Sequence, residues 1–213
     1  MAISRCWTPS VDRVDAKIES VCAGLTERGW AIVPDFLDGG ICQDLVANIR
    51  TLQQQGLMHP AGIGRGEQLQ VDASVRSDLI YWIDEAKLTP PQELALSHLH
   101  ALQLALNRSL FLGLRSVEAH LTLYRPGGAY AKHVDNFQGT SARVLSCIIY
   151  LTPDYHHADG GQLRLYQAET AADVEIEIAP RGGTLACFLS ATVPHEVLTS
   201  HRERYSLTAW FRR

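Results

Sequence analysis

The sequence has no apolar run near the ~20 residues that a membrane-spanning helix needs, so no span is expected. Met1 to Ser10 lack the apolar stretch of a secretory signal, and no leader is expected. Cysteine is sparse: Cys6, Cys22, Cys42, Cys147 and Cys187 are scattered, odd in number and without a CxxC pair. That spacing excludes a disulfide scaffold and fits free thiols in a reducing, cytoplasmic compartment. Positive charge is not in excess: 19 Lys and Arg face 23 Asp and Glu, a net charge of −4. Such a balance gives no general attraction to nucleic acid or to an anionic membrane, and neither partner is expected. A phosphate loop is missing as well. The GIGRGE stretch within His59–Val75 lacks the Lys-Ser/Thr ending and a strand-to-helix context.

What is present is ordinary globular composition, 46% hydrophobic and 20% charged over 213 residues, enough to bury a core. No internal repeat or linker divides the chain. The expectation is one domain over 1–213, with a helical elaboration over about 1–115 and a β-rich core over about 116–213.

In the first half, Val14, Ile18, Val21, Cys22 and Leu25 make a helical stripe that Gly29 stops. Trp30 to Leu37 reads as extended. A second helix carries Leu45, Val46, Ile49 and Leu52, and a third opens at Thr89-Pro90-Pro91-Gln92, a cap with proline in its first turn. From about Val117 the period changes to two. Eight short segments, 118–124, 129–135, 143–151, 162–166, 173–178, 184–189, 193–198 and 204–211, alternate with Gly-rich breaks. That spacing predicts a sandwich or jelly roll, hence an α+β class overall.

Three residues stand out within those strands. His133 and Asp135 are two apart on a predicted strand, so both side chains project to one side. His195 supplies a third ligand. Two His and one carboxylate form the facial set of non-haem Fe(II) oxygenases, with coordination positions left for a 2-oxo acid and dioxygen. The bland alternative for each residue alone is a chance surface or core position; His98, His100, His156, His157 and His201 are read that way. Further on, Arg204, Ser206, Thr208 and Trp210 share one strand face, while Tyr205, Leu207, Ala209 and Phe211 share the other. A polar face with an arginine makes sense if it lines a cavity, where the guanidinium fork can grip a carboxylate.

The order HxD, His, Arg-x-Ser brings a family into view. The segments YRPGGAYAKHVDN at 124–136, RVLSCIIYL at 143–151, GGQLRLY at 160–166, PHEV at 194–197 and RYSLTAW at 204–210 resemble the prolyl 4-hydroxylase family of 2-oxoglutarate oxygenases. They are most similar to the oxygen-sensing prolyl hydroxylases of animals and their bacterial relatives. RSDLIYWI at 76–83 also matches. The resemblance implies a double-stranded β-helix (jelly roll) core with supporting N-terminal helices. It implies Fe(II), 2-oxoglutarate and dioxygen, with ascorbate as a possible reductant, and 4-hydroxylation of a prolyl residue in a protein substrate. If the source is bacterial, elongation factor Tu is the first candidate.

By the same resemblance, Tyr150 joins Arg204 on the distal carboxylate, Tyr124 lines that pocket, and Thr208 and Trp210 flank metal and cosubstrate. Arg76, Asp78, Tyr130, Arg143 and Trp210 fall to the substrate and lid side, with a salt bridge expected between Asp78 and Arg143 and a lid over 59–76. The 59–75 loop matches the animal enzymes poorly, and they continue past Trp210 into a helix where this chain has three residues. Those departures bear on substrate more than on chemistry. The competing readings are an oxygenase acting on lysine or a small molecule, and a cupin-like metal-binding module. Nucleic-acid demethylases of this fold carry a second arginine where this chain has Trp210, which argues against that activity.

Overall fold

The computed structural model describes residues 11–62, 70–135, 142–168 and 170–213. The GIGRGE stretch beyond Gly62, and with it part of the lid expected over 59–76, lies outside those residues.

Three helices come from the first half: α1 (Val11–Arg28), α2 (Gly39–Gln54) and α3 (Pro90–Leu110). Their ends follow local chemistry. Gly29, at φ +77°, takes the left-handed turn that stops α1. The Asp38 carboxylate accepts from the Gly40 amide at 2.8 Å to start α2. At the head of α3 the Thr89 amide donates to Gln92 Oε1 at 3.1 Å, with proline in the first turn.

Among the described residues, eleven strands make two sheets. The larger one runs, in spatial order, β1 (Trp30–Val33), β9 (Leu185–Leu189), β6 (Arg143–Tyr150), β11 (Arg204–Arg212), β4 (Ser116–Tyr124), β3 (Leu79–Trp82) and β2 (His59–Pro60). The smaller runs β5 (Tyr130–His133), β10 (His195–Val197), β7 (Leu163–Tyr166) and β8 (Val174–Ile178). All these pairings are antiparallel. Neighbours in each sheet are mostly distant in the chain, the double-stranded β-helix pattern.

Alternation then sorts the side chains. One face of the large sheet, with Leu121, Leu145, Cys147, Ile149, Cys187, Tyr205, Leu207, Ala209 and Phe211, is buried in a cluster with Val21, Leu45, Ile49, Leu99 and Leu102 of the helices. Its other face, with Tyr124, Ile148, Tyr150, Ala186 and Phe188, packs against Leu163, Leu165, Ile178 and Val197 of the small sheet. The helices thus brace the large sheet from behind and leave the space between the sheets for the site. No described helix is long and apolar enough to cross a membrane.

Candidate active site

The triad gathers where the sheets meet. His195 on β10 pairs in register with His133 on β5. One refinement concerns Asp135. It was expected on the same strand as His133, but β5 stops at His133 and Asp135 lies in the bend beyond, its amide donating to the Ser190 carbonyl at 3.1 Å. The two-residue spacing still delivers both side chains to one point. One ligand atom from each of His133, Asp135 and His195 falls within 4.8 Å of the others. His133 Nε2 lies 3.5 Å from Asp135 Oδ1, and His195 Nε2 lies 3.6 Å from Asp135 Oδ2.

These residues fit a metal ion on three counts. Each imidazole uses Nδ1 on a backbone carbonyl, His133 on Ala131 at 2.8 Å and His195 on Val193 at 3.1 Å, so both Nε2 atoms are turned toward the carboxylate. Burial lowers the His195 pKa to about 4, leaving an uncharged ring with a free lone pair. Burial pushes the Asp135 carboxyl upward, but His195, His133 and the Ser146 hydrogen bond outweigh it and hold the group well below the usual range. A carboxylate and neutral imidazoles are the protonation states a divalent metal requires.

Asp135 is held in place by neighbours. Its Oδ2 accepts from Ser146 Oγ at 2.6 Å and from Trp210 Nε1 at 2.9 Å. Ser146 also meets Ser190 Oγ at 2.8 Å. Tyr130 stacks on His133 with ring centroids 3.6 Å apart, and Phe188 packs at 4.6 Å from His195. Burial pushes the Tyr130 phenol up to about 12.

The triad opens into a cavity of about 910 Å³, lined also by Tyr124, His120, Thr122, Arg204, Ser206, Thr208 and Trp210. The polar face read on β11 is therefore a cavity wall. Arg204 is 3% exposed. Its Nε donates to the Gly161 carbonyl at 2.9 Å, and its guanidinium stands 5.0 Å from the Tyr124 ring and 5.1 Å from the Tyr150 ring. No carboxylate among the described residues forms an ion pair with Arg204. Tyr150 is fully buried and its hydroxyl makes no well-formed hydrogen bond among them; burial raises its pKa to about 12, with the nearby Arg204 guanidinium offsetting part of the rise. A buried cation beside an orphaned hydroxyl is costly unless an anion completes it. The distal carboxylate of 2-oxoglutarate is such an anion.

The seat of Arg204 depends on the Gly160-Gly161 turn. At φ +71°, a Cβ on Gly161 would lie 3.0 Å from Arg204 Cδ and from Ser200 Oγ. Gly161→Ala combines about 1–2 kcal/mol of left-handed strain with a displaced guanidinium. Its expected effect is a KM for 2-oxoglutarate raised about tenfold, measured by succinate formation, with little change in kcat at saturation.

The mouth departs from expectation in one respect. Asp78 was expected to pair with Arg143, and no such ion pair forms among the described residues. Asp78, 1% exposed, is held by Arg76 through two bonds, Nε at 2.8 Å and Nη2 at 2.6 Å. Arg143 binds Glu118 at 2.6 Å and lies over the Trp210 ring at 3.7 Å. The cause is placement: Arg76 and Asp78 are two apart on an extended segment, while β4 and β6 flank β11 and deliver Glu118 and Arg143 to Trp210. Arg76 also covers Tyr130, 4.4 Å from its ring.

Sequence reasoning missed Ser146, Glu118, His120 and Trp82. His120 is 2% exposed, and burial lowers its pKa to about 4. It faces Trp82 at 4.9 Å and Trp210 at 5.2 Å, and its Nδ1 meets Thr122 Oγ1 at 2.9 Å. The alternation applied to β11 would have found part of this set, since Glu118, His120 and Thr122 share the Tyr124 face of β4.

A double-stranded β-helix with a facial His-Asp-His set and a buried arginine clamp is the frame of a 2-oxoglutarate oxygenase. Residues 119–212 match the 2OG-Fe(II) oxygenase superfamily. A crystal structure of a Pseudomonas putida prolyl-4-hydroxylase is 37% identical, with a TM-score of 0.81, covering 92% of this chain and 98% of that one. The hypoxia-inducible factor prolyl hydroxylase of Caenorhabditis elegans is 31% identical over 91% of this chain and 28% of its own length. A Trichoplax adhaerens prolyl hydroxylase, solved with a hypoxia-inducible factor peptide fragment, shares the fold at a TM-score of 0.81 and 24% identity, covering 96% of this chain and 94% of that one. The chain belongs to the prolyl 4-hydroxylase family of 2OG-Fe(II) oxygenases. It spans 28% and 58% of the length of the C. elegans protein and of the rat Egl nine homolog 1 that it matches.

Proposed function

We propose that this chain is an Fe(II)- and 2-oxoglutarate-dependent dioxygenase that hydroxylates C4 of a prolyl residue in a protein substrate. The observation that carries the reading is a facial triad sharing one cavity with a buried arginine that has no anionic partner among the described residues. A metal store needs no diacid clamp, so a cupin-like binding module leaves Arg204 and Tyr150 unexplained. The prolyl assignment is supported by the names of the relatives.

Balanced over the cycle, one atom of dioxygen enters succinate as CO2 leaves 2-oxoglutarate, and the other enters the substrate C–H bond. When bound, Fe(II) supplies the activation of dioxygen. The protein supplies position. His133, Asp135 and His195 would hold the ion, and Ser146 and Trp210 fix the Asp135 carboxylate. Arg204 and Tyr150 grip the distal carboxylate, with Tyr124 and Thr208 along the same wall. Trp82, His120, Tyr130 and Trp210 line an aromatic mouth, and Arg76, Asp78 and Arg143 order its rim. The chain works as one domain in a reducing cytoplasm, with ascorbate as reductant.

The test offers the Fe(II)-loaded protein a lysate fraction, or elongation factor Tu if the source is bacterial, followed by mass spectrometry. The expected product is one added oxygen on a prolyl residue. An oxygen on lysine or on a small molecule keeps the site and discards the prolyl substrate.

A further inference from the structure

Three β-strands set a row across the large sheet. Trp210 on β11 stands in register with Glu118 on β4 and with Ser146 on β6. Ser146 and Trp210 both donate to Asp135 Oδ2. On the outer side of the row, Glu118 receives Arg143 Nε on Oε1 at 2.6 Å and Arg212 Nη1 on Oε2 at 3.3 Å. Both carboxylate oxygens are engaged, and the Arg143 guanidinium lies over the indole 3.7 Å from its centroid. The indole ring is also flanked by His120 at 5.2 Å.

We infer that Glu118 is a positioning residue for the metal ligand Asp135, acting through Arg143 and Trp210. The inference rests on the reading that the triad holds the metal. A planar guanidinium over an aromatic face is attracted by the ring's electrons, and here its direction is set by Glu118. With that charge removed, Arg143 and Arg212 lose the carboxylate they share at the cavity rim. Arg143 is then held less firmly over the indole, and the indole N–H is fixed less sharply in its direction. Asp135 Oδ2 then keeps Ser146 but loses its second fixed donor, and the carboxylate can rotate off the direction in which it meets the metal. Arg143 and Glu118 retain 17% and 25% side-chain exposure, so solvent screens the pair in part and its contribution to stability is modest. The consequence falls mainly on the ligand's orientation.

The experiment uses the full chain, Mn(II) alone as the probe, and 5-fluorotryptophan labelling read by fluorine NMR, with the Trp210 resonance assigned from Trp210→Phe. Loss of a residue supporting a ligand commonly costs 10–100-fold in metal affinity; one step further out, Glu118→Gln is expected to weaken Mn(II) about 3- to 10-fold. The Trp210 resonance should move while that of Trp30 stays, with an unchanged melting temperature. Arg143→Lys keeps a cation for Glu118 but loses the planar stack, and should reproduce both effects; it carries the test if Glu118→Gln does not fold. A moved Trp210 resonance with wild-type Mn(II) affinity overturns the inference, as does no change in either. A wild type that binds no Mn(II) overturns the metal-centre reading and this one with it. Wild-type binding with unaltered variants overturns this one alone.

Discussion

Replacing Arg204 by Ala is expected to lower kcat/KM for 2-oxoglutarate by about 100-fold or more while leaving the chain folded. Hydrogen bonds to a charged group contribute about 1.5–3 kcal/mol each, and a two-pronged grip on a carboxylate loses both at once. About 3 kcal/mol is two decades in the binding constant. The loss should fall on KM and be partly recovered at high 2-oxoglutarate if Arg204 grips the distal end of the cosubstrate as proposed. Lysine should rescue poorly: its point charge cannot match the fork, and it loses the seat given by the Gly161 carbonyl and the flanking Tyr124 and Tyr150 rings. Thermal melting supplies a second readout. Anaerobically and with Mn(II), 2-oxoglutarate at 100 times its Kd should stabilise the wild type by about 2.7 kcal/mol and the alanine variant hardly at all. An alanine variant with unchanged KM would remove Arg204 from the clamp.

The second large effect is expected at the triad. His133→Ala and Asp135→Ala should each abolish Fe(II)-dependent succinate formation to within background, a loss of about 1000-fold or more, and weaken divalent metal binding. With two ligands left, the chain would hold the ion weakly and would no longer offer the three-residue set that Fe(II) oxygenase chemistry uses. Asp135→Ala also strands the Ser146 and Trp210 donors. His98→Ala, on the exposed side of α3, should behave as wild type. The metal must be controlled, since Cu(II), Ni(II) and Zn(II) bind such ligands more tightly than Fe(II) and would mimic an inactive variant. Retained turnover in an Fe(II)-loaded His133→Ala sample free of other metals would move the iron elsewhere.

The gathering of His133, Asp135 and His195 and the cavity-facing placement of Arg204 were legible in the sequence because strands have period two. That rule alone put Arg204, Ser206, Thr208 and Trp210 on one side of β11, where the cavity lies, and Tyr205, Leu207, Ala209 and Phe211 on the other, in the core. The helices were legible from their stripes and end signals, Gly29 and Thr89-Pro90-Pro91 among them. What could not be read was pairing between strands far apart in the chain. Arg143 has several acids within a plausible fold; only the register of β4, β11 and β6 shows that Glu118 meets it above Trp210 while Asp78 is taken by its near neighbour Arg76. Ser146 failed for a related reason. One serine in an apolar strand looks like a tolerated core residue until Asp135 is brought to it from a different sheet. The end of β5 at His133 was hidden too, because it follows from the Asp135 amide turning to Ser190.

The most direct test of the central claim is a single turnover under isotopically heavy dioxygen with Fe(II), 2-oxoglutarate and the protein substrate. The account predicts one heavy oxygen in succinate and one on a prolyl residue in equal amounts, with neither formed by His133→Ala. Heavy succinate with no labelled prolyl residue would contradict the prolyl assignment, and no labelled succinate from verified Fe(II)-loaded wild type would contradict the oxygenase reading itself.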